Sequence, residues 1–172
     1  QSARVLIVVP ENRLLFSDLY DEQVVIPSMR PIAAWLAQDD PNVRRELLAR
    51  EPEVLILHGD PEALPREARI ELLSSYVAAY SDGNWRGLDM PIAEIRRLAQ
   101  PDLAEEIRKC WDVPRTNDEI AKLLLKLIWL GPIPACADIA HGVAFDPSQT
   151  DFNRIVAIRA LSAMDRREDT RE

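Results

Sequence analysis

Glycine is scarce in this chain, 5 of 172 residues against 13 prolines. So few glycines supply few turns at positive φ, which argues against a hairpin-rich sandwich or barrel. Cysteine and histidine are scarcer still. Cys110 and Cys136 stand 26 residues apart with no Cys-x-x-Cys, and His58 and His141 are the only histidines. This does not make a zinc set, and the two cysteines read as buried reduced thiols in a cytosolic helical core. Long apolar runs are missing too. Val5–Pro10 and Leu123–Leu130 are the longest, the second broken by Lys126, and a membrane span needs roughly 18 residues. Gln1-Ser2-Ala3-Arg4 is not the n-region of a signal peptide, so a cytoplasmic location is expected. With no initiator Met and a strand-like opening, the chain reads as a piece of a longer protein.

Positive charge is also in deficit. Lys and Arg number 21 against 29 Asp and Glu, a formal net charge of −8, and nucleic-acid surfaces need clustered positive charge. The arginine pairs at 44–45, 96–97 and 166–167 have acidic neighbours and read as solvated helix faces. No Gly-x-x-x-x-Gly-Lys-[Ser/Thr], Gly-x-Gly-x-x-Gly or Gly-x-Ser-x-Gly occurs, so neither a phosphate cradle nor a nucleophile elbow is present. Asp39-Asp40 and Asp18…Asp21-Glu22 lack the alternation and glycine of a calcium loop. No catalytic residue, metal or cofactor is expected of this chain.

What is present is a core and a helical rhythm. Apolar residues make up 47% and charged residues 29%, an ordinary globular balance. Arg4–Val9, Arg13–Phe16 and Gln23–Ile26 are β-branched or apolar runs, so residues 1–27 read as a small β meander packed on helices. An exposed edge at Val5–Val9 would favour pairing with a second copy, a homo-oligomer through the N-terminal strand.

From Ser28 the pattern becomes helical. Proline is tolerated in the first turn of a helix, and an Asp before it caps the remaining donors. Asp40-Pro41, Asp60-Pro61, Pro101-Asp102 and Asp146-Pro147 repeat that device, with Glu51-Pro52 and Met90-Pro91 as weaker forms, so the prolines read as helix starts. Helices are expected over 29–38, 41–50, 52–57, 65–80, 91–98, 101–111, 117–130, 134–145 and 151–164, joined by short connections. Ile120, Leu123, Leu124, Leu127, Ile128 and Trp129 wrap one helix in apolar residues, so it should be flanked on two sides, with Gly131 ending it. In the last helix Ile and Leu are expected to fill the seam while alanines allow close approach. Arg154-Ile-Val-Ala-Ile-Arg-Ala-Leu161 resembles the first helix of a HEAT-type repeat, and residues 117–164 look like one and a half repeats. An ordinary helical bundle is the plainer alternative.

Three local features invite a chemical reading. Val54-Leu-Ile-Leu-His58-Gly-Asp-Pro61 looks like an oxyanion-hole strand, and a small hydrolase using His58 and a nearby carboxylate is the alternative function. The plainer reading is a short helix from Pro52 with His58 in its last turn and Gly59 closing it. Glu105-Glu106 reads as surface charge. Trp85 and Arg86, in the loop Ser81–Leu88, are the candidate partner-binding residues, since Trp and Arg dominate interface hot spots. The alternative is a Trp folded back under its own loop.

Ser28-Met-Arg-Pro-Ile-Ala-Ala-Trp-Leu-Ala37 and Arg50-Glu-Pro-Glu-Val-Leu-Ile-Leu-His-Gly-Asp-Pro61, followed by Ile128-Trp-Leu-Gly131 and Arg154–Leu161, resemble the helical region of bacterial STAND-type (NACHT-like) ATPases. The resemblance covers most of residues 14–164. It implies that ATP binding and hydrolysis belong to a nucleotide module outside this chain, whose helical repeats sense a partner or hold that module inactive. Several such proteins serve in antiviral defence or signalling. The expected architecture is mainly α: a solenoid-like stack of short helices over residues 28–165, after the β meander and before a charged tail at 166–172. The expected role is non-catalytic, a sensor or regulatory segment whose partner is another protein or the rest of its own chain, with no membrane and no nucleic acid.

Overall fold

The computed structural model describes residues 15–19, 22–81, 90–113 and 118–169. Two short strands, β1 (Phe16–Leu19) and β2 (Glu22–Val25), pair antiparallel with Phe16 opposite Val25. The rest of the described chain is mainly helical: α1 (Arg30–Asp39), α2 (Pro41–Arg50), α3 (Glu53–His58), α4 (Arg66–Tyr80), α5 (Ile92–Leu98), α6 (Ala104–Asp112), α7 (Asp118–Leu130), α8 (Ala137–Phe145) and α9 (Asp151–Asp169). The expected strand at Val5–Val9 lies outside the described residues. The chain divides into two compact units, Gln1–Gly59 and Asp60–Glu172.

In the first unit, α1 packs on α2 and α3 through Ala33, Ala34 and Ala37, all fully buried. Small side chains there let the helices approach closely. Asp40 caps α2 as its sequence predicts, its carboxylate accepting the N–H of Asn42 at 2.8 Å, with Pro41 in the first turn. Glu51, next along the chain, is not a cap. Its buried carboxylate accepts the backbone N–H of Val25 and, at 2.7 Å, a guanidinium N–H of Arg30, tying β2 and α1 to the end of α2. Gly59 follows α3, but its φ of −91° is not left-handed. Glycine is needed there because a Cβ would stand 2.6 Å from the Leu55 carbonyl oxygen.

The second unit consists of two rows of helices. α4, α6 and α8 lie side by side, and side-chain bonds fix their sense. Arg69 pairs with Asp102 just before α6, and Ser74 donates to Glu106 within it at 2.7 Å. Further along, Arg108 of α6 pairs with Asp138 of α8, while Cys136, at the entry to α8, lies against the Ala104 carbonyl. Each pairing advances in the same direction along both partners, so the three helices are parallel. The other row is α5, α7 and α9, with α7 packed against both α5 and α9. Lys122 and Lys126 of α7 stand over Phe152 of α9, and Arg159 stands over Trp129 further along both helices, so this pair is parallel too. Consecutive helical hairpins stacked in two rows are the local geometry of an α-solenoid.

The array begins at Arg66, earlier than the segment 117–164 that resembles repeats. Pro65-x-x-Ala68, Pro101-x-x-Ala104 and Pro134-x-x-Ala137 open the three helices of the first row, and Pro134 follows Pro101 by 33 residues. In the second row the same offset relates buried positions of α7 and α9: Leu123 to Val156, Leu124 to Ala157 and Leu127 to Ala160. As expected, α7 is buried nearly all round, and each such side chain contributes about 1.5–3 kcal/mol relative to exposure. Gly131 ends α7, and a Cβ there would meet the Ala99 carbonyl oxygen at 2.7 Å.

Two of the Asp-Pro starts differ from expectation. Residues 61–63 form a turn and α4 begins only after Pro65, because the turn first carries buried Leu64 into the core. At Asp146-Pro147 the carboxylate is occupied locally, accepting the Ser148 N–H at 2.9 Å and the Ser148 hydroxyl at 2.7 Å. This Asx turn competes with capping. Thr150 caps α9 instead, accepting the Asn153 N–H at 3.3 Å.

Candidate functional site

Trp85 and Arg86, the partner-binding residues expected from sequence, lie outside the described residues. His58 ends α3 as the plainer reading expects, and its side chain is exposed. Partial burial and then the positive charge of Arg30 lower its pKa from the usual imidazole value. A catalytic imidazole is normally oriented by a carboxylate, yet the charge acting on His58 is a cation, and no hydrogen bond to its side chain is found among the described residues.

The cysteines are free and buried. Burial, with the Glu106 carboxylate adding to it, pushes the Cys110 thiol up to about 12. Burial likewise raises Cys136. Both are therefore protonated and poorly nucleophilic near neutral pH. Glu106, expected to be surface charge, is largely covered and accepts the Ser74 hydroxyl, whereas its neighbour Glu105 is exposed. No cluster of His, Cys, Asp and Glu able to hold a metal ion occurs among the described residues. Among them, too, no helix is long and apolar enough to cross a membrane.

Two grooves lie within the second unit. One, about 450 Å³, runs between α6, α8 and the turn at Asp146, with Trp111 and Gly142 in its walls. Its charged walls satisfy each other, since Arg108 donates to both Asp138 and the Ala135 carbonyl. That pairing holds the Asp138 carboxyl below the usual carboxylate range.

The other groove, about 470 Å³, is formed by α7, α9 and the entry to α5. Glu119, Lys122, Lys126 and Trp129 line it from α7, at spacings of three, four and three that keep them on one face. Phe152, Val156 and Arg159 answer from α9, and Met90, Pro91 and Ile92 close one end. Lys122 and Lys126 stand 5.6 and 5.8 Å from the Phe152 ring centroid, and Arg159 5.2 Å from that of Trp129. The cations thus sit on aromatic faces, attracted by the negative ring quadrupole. Lys122 also pairs with Glu119 at 2.6 Å.

The floor continues onto open surface. Phe152, Ile155 and Ile158 are 45%, 49% and 52% exposed, so Ile155 and Ile158 do not fill the seam expected of them. The buried stripe of α9 is instead Asn153, Val156, Ala157, Ala160 and Met164. Sequence reasoning placed the aromatic and basic groove residues in generic core or surface roles. Their one legible signal was the three-four-three spacing of Glu119, Lys122, Lys126 and Trp129. Comparison with family models, with curated proteins and with solved structures finds no match to this chain.

Proposed function

We propose that this chain is a non-catalytic helical interaction segment, acting by protein recognition through the groove between α7 and α9. The observation that carries the reading is the run of half-exposed Phe152, Ile155 and Ile158 beside that groove. Ile158 stands 33 residues after Leu125, which is fully buried in the corresponding position of α7. Contiguous exposed apolar surface rimmed by polar groups is the usual mark of an interaction site. A larger NTPase-type protein as its parent, with this segment as sensor or conformational relay, belongs to the same proposal and rests on the STAND-like sequence phrases alone. Hydrolysis through His58 is disfavoured by the cation beside it.

Two measurements test the reading. The purified chain is expected to leave ATP and simple esters unhydrolysed, and turnover that survives purification and vanishes in His58→Gln would overturn it. Genomic sequence upstream is expected to continue in frame into a phosphate-binding glycine loop. An upstream stop codon would remove the NTPase parent.

A further inference from the structure

We infer that the occupant of the α7–α9 groove is an acidic amphipathic helix of a partner protein, an inference that rests on the interaction reading above. Charge and shape together point to it. The groove carries Lys122, Lys126 and Arg159 against the single carboxylate of Glu119, an excess of cations in a chain whose formal net charge is −8. Charge concentrated against the sign of the whole molecule favours one class of partner and repels copies of the chain itself.

The cations are also held in place for such a partner. A guanidinium stacked flat on a ring keeps its N–H edge in the ring plane, where it can fork onto a carboxylate. Arg159 lies over Trp129 in this way, and no ion pair to Arg159 is found among the described residues. The ammonium groups over Phe152 border the same apolar floor.

The shape selects a helix. α7 and α9 are parallel neighbours, and the valley between two such helices accepts the ridge of a third. An incoming helix with apolar residues at i, i+3/i+4 and i+7 would set them against Phe152 and Val156. Asp or Glu residues flanking that stripe would meet the three cations.

The test uses the full chain and three fluorescent helical peptides sharing one apolar stripe, flanked by Glu, by Gln or by Lys. Binding is followed by anisotropy. The Glu peptide is expected to bind about tenfold or more tightly than the Lys peptide, and to weaken several-fold as salt rises from about 50 to about 300 mM. Arg159→Glu is expected to lower its affinity about tenfold and Arg159→Gln by less, with the unfolding midpoint little changed because this side chain is exposed. Equal binding of the Glu and Gln peptides, or tighter binding of the Lys peptide, overturns the acidic preference while leaving the groove a docking site. Failure of all three peptides to bind, with Phe152→Ser changing nothing, overturns both this inference and the interaction reading.

Discussion

The carboxylate of Glu51, 1% exposed, accepts the backbone N–H of Val25 across 26 residues of sequence. The same group holds Arg30 through its other oxygen. One buried acid thereby joins the small sheet, α1 and α2. Removing it leaves a buried N–H and a part-buried guanidinium without their acceptor, the costly way to break such a pair. Glu51→Ala is expected to destabilise the first unit by about 3 kcal/mol. Glu51→Gln, which keeps an acceptor for Val25, should lose less. Urea unfolding followed by circular dichroism reads both, and an unchanged midpoint in the Ala variant would show that the linkage carries no stability.

Asn153 is fully buried in α9, and neither polar atom of its side chain has a hydrogen-bond partner. One repeat earlier, the equivalent position is Ile120, buried and apolar. An unpaired buried amide costs roughly 1–3 kcal/mol, so Asn153→Leu is expected to raise stability by about 1 kcal/mol after some repacking. Thermal unfolding checks this, and a lowered midpoint would mean that the amide is satisfied in solution.

Gly142 sits inside α8 with nothing within 4 Å of where a Cβ would stand. Glycine within a helix is unfavourable because its unfolded backbone has more freedom to lose. Gly142→Ala should stabilise the chain by about 0.5–1 kcal/mol, seen as a higher urea midpoint. A loss of stability instead would show that the open space is filled in solution.

Alkaline pH provides a fourth test. The Cys110 thiol is raised from its ordinary 9.0 to about 12 in the folded chain. Below 9.0 the thiol is protonated in both states and its contribution is fully present. Between 9.0 and about 12 the unfolded chain releases the proton and the folded chain retains it, so stability falls as pH rises. Cys110→Ala should show a shallower decline in its urea midpoint over that interval. Identical slopes for the two proteins would contradict the burial argument.

How far the sequence was legible differs from element to element. The all-round apolarity of α7 and the Asp40-Pro41 start of α2 were plain, because local periodicity and capping chemistry decide them. Asp146-Pro147 carried the same letters but a different outcome, since Ser148 and Gln149 offered its carboxylate nearer partners. Pro-x-x-Ala at 65, 101 and 134 was present in the sequence, but it gains meaning only once the three helices lie side by side. The groove was least legible. Lys122 and Phe152 are 30 residues apart, and only the stacking of α7 on α9 makes them neighbours. Ile155 and Ile158 illustrate the same limit, for periodicity identifies an apolar face without saying whether anything covers it.

Recognition through the α7–α9 groove is tested most sharply by comparing binding and stability in one double variant, Phe152→Ser with Arg159→Glu. Affinity for the Glu-flanked helical peptide and the urea midpoint are read on the same preparation. Affinity is predicted to fall well over tenfold while stability drops by no more than about 1 kcal/mol, since both side chains lie at the surface. Wild-type affinity in a folded double variant would contradict recognition through this groove.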